Sequence, residues 1–223
     1  MKQRIFPSVM AKNQQELNAL LTKLRGVAPI LHLDIVDGTF APSHSLDFPF
    51  QLSQKFTYQA HLMIKNPEKW IATYSSQMNV CIPQIEEIKS PEQYIAWIKK
   101  KKQKVAFALK PETSVAMVKP YLSQIDIILI LTVHPGFYGA KYLPTPLKKI
   151  KAIKKINPKI KIIVDGGMNL DTIKDAVRAG ADYVVSGSFV SKSDNPQQAV
   201  QSLQKAYVLS LPTSRELRAL INL

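Results

Sequence analysis

Two imidazoles and two carboxylates stand near the ends of three apolar runs, and together they make a donor set for a divalent cation. In Leu31-His32-Leu33-Asp34-Ile35-Val36-Asp37-Gly38, polar and apolar residues alternate before an Asp-Gly turn. On a strand, the period of two puts His32 and Asp34 on one face and Leu31, Leu33 and Ile35 on the other. Ala60-His61-Leu62-Met63 supplies a second histidine, and Ile162-Ile163-Val164-Asp165-Gly166-Gly167 ends a third run with an aspartate. Two nitrogen and two oxygen ligands suit one divalent ion; zinc fits well, and iron, manganese or cobalt can use the same ligands.

Residues this far apart meet only if the elements carrying them end at one place. Apolar runs with strand character occur at 4–8, 29–35, 57–63, 79–85, 104–109, 125–133, 159–165 and 183–186. Helical spacing or start signals fall between them: 13–24, a short segment before the third strand, segments opening at Asn66-Pro67-Glu68 and Ser90-Pro91-Glu92, 113–122, part of 144–156, 169–179 closed by Gly180, and a last helix through about Leu209. Asn66 and Ser90 are expected caps, with proline at the first helical position. Eight strands alternating with helical segments predict an α/β fold of the (β/α)8 TIM barrel type rather than an open doubly wound sheet. In such a barrel the strand C-termini share one mouth, which brings Ser8, His32, Asp34, His61 and Asp165 into one pocket. The Pro-, Ser- and Asp-rich stretch 37–49 is long enough to cover part of that mouth.

The length of 223 residues is that of one such barrel, and no linker-like segment divides it, so residues 1–223 are expected to form a single domain. The most apolar run, 125–133, carries Asp126 and is far shorter than the roughly 20 residues a membrane helix needs. The N-terminal segment reads as a first strand rather than a signal peptide. A lone cysteine, Cys81, has no internal disulfide partner and points to a reducing compartment, the cytoplasm. A formal charge of +14 raises the question of a polyanionic partner. The lysine clusters at 99–104 and 148–161 lie on or beside predicted outer helices without interleaved aromatics. They predict a solvated basic face with no specific nucleic-acid partner, whose field helps draw in a phosphorylated metabolite.

Glycine is concentrated at three late strand ends: Pro135-Gly136-Phe137-Tyr138-Gly139, Asp165-Gly166-Gly167-Met168-Asn169 and Ser186-Gly187-Ser188. Backbone N–H groups approach an anion closely where glycine removes the side chain, and barrels commonly hold phosphate after strands 7 and 8. A phosphorylated substrate is therefore expected. Other residues have plainer explanations: Asp37 caps a turn, His44 is structural or faces solvent, Cys81 is a small buried strand residue, and Met63 is core packing or pocket wall.

The ordered segments Pro7-Ser8, LHLDIVDGTFAP, AHLMI with NPEKW, LTVHPGFYGAKY, VDGGMN and VSGSFV resemble the ribulose-phosphate 3-epimerases of the pentose phosphate pathway over nearly the whole chain. The resemblance implies that His32, Asp34, His61 and Asp165 are metal ligands, that Asp34 and Asp165 are the catalytic acid/base pair, and that Ser8 and His61 contact substrate. It places substrate and phosphate against Gly136, Phe137, Tyr138, Gly139, Gly166, Gly167, Gly187 and Ser188, and the chain is expected to be a homo-oligomer. The lining departs from the family pattern, which usually has methionine at Val36 and Leu131, histidine at Gln84, an acidic or amide residue at His134, and Gly-Gly-Gln where this chain has Tyr138-Gly139-Ala140. Tyr138 fills space that glycine leaves open, so it is the expected place for an altered preference between five- and six-carbon substrates.

Epimerising a carbon beside a ketone needs a base on one face, an acid on the other and a cation to hold the enediolate charge. Asp34 and Asp165, from strands 2 and 7 of a closed barrel, can face each other across such a substrate. The expected reaction is 3-epimerisation of D-ribulose 5-phosphate to D-xylulose 5-phosphate. A ketohexose 6-phosphate 3-epimerase and a non-catalytic phosphosugar-binding relative are the alternatives. A phosphate-binding barrel decarboxylase is disfavoured, because the Asp-x-Lys-x-x-Asp run usual in those enzymes is absent.

Overall fold

The computed structural model of the chain describes residues 3–135 and 139–212. Eight parallel strands form the barrel wall: β1 (Ile5–Val9), β2 (Ile30–Asp37), β4 (Thr57–Met63), β5 (Val80–Pro83), β6 (Ala106–Leu109), β7 (Ile127–Leu131), β8 (Lys161–Asp165) and β9 (Tyr183–Ser186). The short strand β3 (His44–Ser45) pairs antiparallel with the end of β2. The parallel ladder runs β5-β4-β2-β1-β9-β8-β7-β6, and a bridge between Gln84 and Ala108 joins its two ends. Closure leaves no free sheet edge, and the fold is a (β/α)8 TIM barrel.

Alternation along each strand sorts side chains into two cores. Leu31, Leu33 and Ile35 of β2, Ile128 and Ile130 of β7, and Ile162 and Val164 of β8 pack outward under the helices. Phe6, Val80, Ile82, Ala106, Ala108, Ile127, Leu129, Leu131, Ile163 and Val185 pack inside the barrel. Burying each large aliphatic side chain contributes about 1.5–3 kcal/mol, so the strand register that achieves both burials strongly outweighs a one-residue slip. That register also turns His32 and Asp34 inward, above the apolar floor.

The helices follow their start and stop signals unevenly. In α1 (Gln14–Lys23) the Asn13 side chain accepts from Glu16 N at 2.9 Å, while Glu16 Oε2 accepts from Lys12 N at 2.8 Å. This reciprocal pair fixes the first turn. α2 (Pro67–Tyr74) and α3 (Pro91–Lys100) begin at their prolines as expected, yet neither Asn66 nor Ser90 caps with its side chain. Asn66 instead takes a left-handed turn, with φ of 51°. α4 (Lys148–Ile156) and α5 (Ile173–Ala179) follow β7 and β8, and Gly180 closes α5 in the left-handed region at φ 106°. After β9 the expected single helix is two: α6 (Ser188–Ser191) and α7 (Pro196–Leu209), separated where Pro196 starts a new turn and Asn195 caps it.

Two expected helices do not form. Before β4 the chain is irregular, because the Gln14 side-chain amide both donates to Gln51 O at 3.1 Å and accepts from Gln51 N at 2.8 Å, replacing helical hydrogen bonds. Phe50 there stacks on Tyr74 with ring centroids 5.0 Å apart. Over 113–122 the chain makes two 3₁₀ turns, Val115–Met117 and Lys119–Tyr121. Pro120 lacks the donor an α-helix needs at that point. The expected eight helical segments are thus seven α-helices among the described residues.

The lysine clusters decorate the outside: Lys99, Lys100, Lys102, Lys104, Lys151, Lys155, Lys159 and Lys161 are exposed. No helix among the described residues is long and apolar enough to cross a membrane. Asp37 is the turn cap expected of it. Its carboxylate accepts from Thr39 N and Phe40 N, both at 2.9 Å, and from Lys65 N at 2.7 Å. Burial works to raise its pKa, but those N–H groups prevail and lower it. His44 is exposed and pairs with Asp47 at 3.0 Å. Cys81 is buried and its thiol is pushed up to about 12 by burial, which makes it unreactive.

Candidate metal centre

Strand register assembles the four expected ligands. Ser8 is level with His32 across the β1/β2 ladder, and Asp34 is level with His61 across β2/β4. Asp165 ends β8 beside Leu131 of β7. All of these side chains point into the barrel, so residues from three strands converge above the same apolar floor. One donor atom from each of His32, Asp34, His61 and Asp165 lies within 4.8 Å of every other. Both imidazoles are completely buried, and the two carboxylates nearly so.

The spacing is that of a coordination shell. His61 Nδ1 is 3.3 Å from both Asp34 Oδ1 and Asp165 Oδ2; His32 Nε2 is 3.4 Å from Asp34 Oδ1 and 3.8 Å from Asp165 Oδ2. Donors at the corners of a tetrahedron with bonds of about 2.0–2.1 Å stand about 3.3–3.4 Å apart. The same atoms fail as an ordinary hydrogen-bond network: His32 Nε2, His61 Nδ1 and Asp34 Oδ1 are buried with no hydrogen-bond partner among the described residues. Buried polar atoms left unpaired are costly, and a divalent ion at their common focus would satisfy them together.

Electrostatics point the same way. Burial works to raise the Asp34 pKa, but His32 and His61 beside it prevail and hold the carboxyl well below the usual range. Burial works to lower the His61 pKa, but Asp165 and Asp34 prevail and push it up to about 9. A proton on His61 partly balances the two carboxylates, and a divalent ion held by Nδ1 would have to displace it.

The centre lies at the base of a cleft lined by Ser8, Met10, Met63, Leu131, Val133 and Met168, with Gly139, Ala140, Gly166, Gly167, Gly187 and Ser188 around it. The expected glycine strand ends after β8 and β9 therefore do converge beside the four expected ligands. Gly136, Phe137 and Tyr138, the rest of the expected substrate segment, lie outside the described residues. Glycine is needed at 166 and 167, where φ is +112° and +67°. A Cβ on Gly166 would sit 2.6 Å from Val133 Cγ2, and one on Gly167 would sit 3.0 Å from Tyr142 Cβ.

Three further residues support the site, and of these the sequence singled out Gln84 alone, as a departure of the lining from the family pattern. Thr132 Oγ1 donates to the carbonyls of Asp165 and Gly166 at 2.9 and 2.7 Å, fastening the end of β8. Ser186 Oγ donates to Met168 O at 2.9 Å. Gln84, fully buried, meets His61 Nε2 through its side-chain amide at 2.8 Å. A polar residue at a strand end was the available hint in each case. The 37–49 loop does cover part of the mouth: Ala41 packs on Val36 and Met63, with Phe40 and Met10 against them. Lys110 Nζ lies 4.1 Å from the Phe40 ring centroid.

The Ribulose-phosphate 3 epimerase family model matches residues 4–191. The ribulose-phosphate 3-epimerase of Mycobacterium tuberculosis is 32% identical over 211 residues, covering 90% of this chain and 91% of that protein. That of Candida glabrata is 28% identical over 223 residues, with the same coverage of each. Among solved structures, 3-hexulose-6-phosphate synthase from Salmonella typhimurium superposes with a TM-score of 0.65 over 93% of this chain and 99% of that one, at 13% identity, a likeness of fold. With a matched family model spanning most of the barrel and a buried two-histidine, two-aspartate cluster at its mouth, the chain belongs to the ribulose-phosphate 3-epimerase family and is an isomerase of the epimerase type.

Proposed function

We propose that this protein interconverts D-ribulose 5-phosphate and D-xylulose 5-phosphate by proton transfer at C3, with Asp34 and Asp165 as the acid/base pair and one divalent ion held by His32, Asp34, His61 and Asp165. The observation that carries the proposal is the placement of the two carboxylates. β2 and β8 are separated by β1 and β9 along one arc of the barrel and by four strands along the other, so Asp34 and Asp165 reach the centre from different sides. Epimerisation requires this arrangement, since the proton must leave one face of C3 and return to the other.

In one direction ionised Asp34 takes the C3 proton, the C3–H bonding pair moves into the enediolate, and Asp165, which enters the cycle as the carboxylic acid, gives its proton to the opposite face and ends ionised. The reverse reaction exchanges their roles, and no atom is gained or lost. The depressed pKa of Asp34 keeps it ionised and ready to accept at neutral pH. A divalent ion supplies Lewis-acid stabilisation of the oxygen charge that develops next to C3. Met10, Met63, Leu131, Val133 and Met168 line the cleft with apolar surface, which lowers the local dielectric and strengthens these charge interactions.

The glycines at 166, 167 and 187, with Ser188, are assigned to the phosphate end of the substrate; their side-chain-free backbone beside the ligands supports that assignment. One divalent ion, zinc, iron, manganese or cobalt, suits this mixed nitrogen and oxygen donor set, and zinc serves as the probe in the tests below. A buried, unactivated Cys81 suits the reducing cytoplasm.

The test is deuterium incorporation at C3 of D-ribulose 5-phosphate in heavy water, followed by NMR together with the appearance of xylulose 5-phosphate, with a ketohexose 6-phosphate and its 3-epimer run in parallel. Exchange and epimerisation of the pentulose phosphate, faster than of the hexulose phosphate, are expected. Preference for the six-carbon substrate would overturn the substrate assignment, and absence of exchange with the zinc-loaded protein would overturn the chemistry.

A further inference from the structure

Of the two imidazoles that face the centre, only His61 is held from behind among the described residues. Its Nδ1 points at Asp34 and Asp165, while its Nε2 lies 2.8 Å from the side-chain amide of Gln84. His32 has no hydrogen bond on either ring nitrogen among the described residues. Gln84 follows β5 directly, its backbone bridges to Ala108 where the barrel closes, and its side chain is fully buried. With no solvent to turn to, the amide has His61 as its partner; its Oε1 has none among the described residues.

A neutral imidazole carries its proton on one nitrogen and its lone pair on the other. Ligation through Nδ1 therefore puts the N–H on Nε2, aimed at Gln84. A half turn of the amide brings Oε1 to the place of its nitrogen and lets it accept that N–H. In the other orientation the amide nitrogen donates to Nε2, and the ring proton sits on Nδ1, where it blocks coordination. One amide orientation thus favours the ligating tautomer and the other disfavours it, within the same heavy-atom geometry.

We propose that Gln84 is a positioning residue for the metal centre, which accepts from His61 Nε2–H and so keeps the Nδ1 lone pair turned to the ion. The proposal rests on the metal reading above. Hydrogen-bonded partners behind ligating histidines commonly orient the ring and raise its basicity. The choice of an amide has its own logic here: it accepts the hydrogen bond without adding a third buried anion to Asp34 and Asp165.

The test measures metal affinity rather than turnover. Metal-free wild type, Gln84→Leu and Gln84→Glu are titrated with zinc against a chromophoric chelator, and cobalt absorption reports the coordination geometry of each. Thermal unfolding of the metal-free proteins gives their intrinsic stability. Leucine, which fills similar space without an acceptor, should weaken zinc binding by about 10–100-fold. Glutamate, which also accepts from Nε2–H, should bind zinc within about threefold of wild type or tighter, even if the metal-free protein is less stable. Zinc binding to a folded Gln84→Leu as tight as to wild type, or a tenfold loss in Gln84→Glu, would overturn the role of Gln84 while leaving the metal centre intact. If the leucine variant does not fold, the glutamate titration decides alone. Failure of the wild type to take up one zinc per chain would overturn the metal reading itself, and this inference with it.

Discussion

Ser8 Oγ donates a 2.5 Å hydrogen bond to Asp34 Oδ2, while Asp34 Oδ1 faces His32 and His61 at 3.4 and 3.3 Å. The carboxylate is thereby divided between one oxygen for the metal cluster and one steadied by a hydroxyl from the neighbouring strand. Ser8→Ala should leave metal uptake at one ion per chain and lower kcat/KM by about 10–100-fold, since a charge-assisted hydrogen bond that orients the proposed acid/base carboxylate is lost. Steady-state kinetics alongside metal analysis checks this; an unchanged kcat/KM would show that Asp34 is oriented without Ser8.

On the proposed roles of Asp34 and Asp165, exchange and epimerisation can be separated. Asp165→Asn should abolish epimerisation, yet Asp34 should still exchange the C3 proton of one epimer with solvent at a residual rate. Because Asp165 is also an expected ligand, metal content must be measured in the same preparation. Full epimerase activity in a metal-loaded Asp165→Asn protein would contradict the assignment.

Gly166 is constrained twice, by its φ of +112° and by Val133, whose side chain would lie 2.6 Å from an added Cβ. Gly166→Ala should destabilise the fold by about 1–3 kcal/mol from backbone strain alone. It should also displace the strand end that carries Asp165, lowering kcat by more than the Gly139→Ala change, which shares the backbone strain at φ +83° but whose Cβ would meet nothing within 4 Å. Chemical denaturation and kinetics on the two variants make the comparison. Equal kcat values in both would remove Gly166 from the positioning of Asp165.

Asp182 ties β8 to its surroundings, accepting from Lys154 Nζ at 2.6 Å, Lys161 Nζ at 3.2 Å and Ile162 N at 3.0 Å. Burial works to raise its pKa, but Lys154 and the Ile162 N–H prevail and lower it. A carboxylate depressed in the folded state contributes stability above its unfolded pKa and loses it as pH falls through the folded value. Asp182→Asn should therefore cost about 1–3 kcal/mol near pH 7. The difference from wild type should be constant above about pH 5 and shrink toward zero in strong acid. Urea unfolding at several pH values measures it, and a gap that widened on acidification would reverse the assigned sign.

The strand period in Leu31 to Ile35 was sufficient to turn His32 and Asp34 one way and three aliphatic residues the other, because alternation is a local property of extended chain. The strand-helix alternation and the glycines after Asp165 and Ser186 were equally local, and from them the barrel and its common mouth followed. Other features depended on partners remote in sequence. The segment before β4 has no helix because the Gln14 amide takes the backbone groups of Gln51. The spacing of 3.3–3.8 Å among the donor atoms, the choice of Nε2 on His32 and Nδ1 on His61, and the contact of Gln84 with the far side of His61 all depend on register across β1, β2, β4, β5 and β8. Residue types and their alternation are written along the chain, but which nitrogen meets which oxygen is set where separate strands pack side by side, and only their packed arrangement settles it.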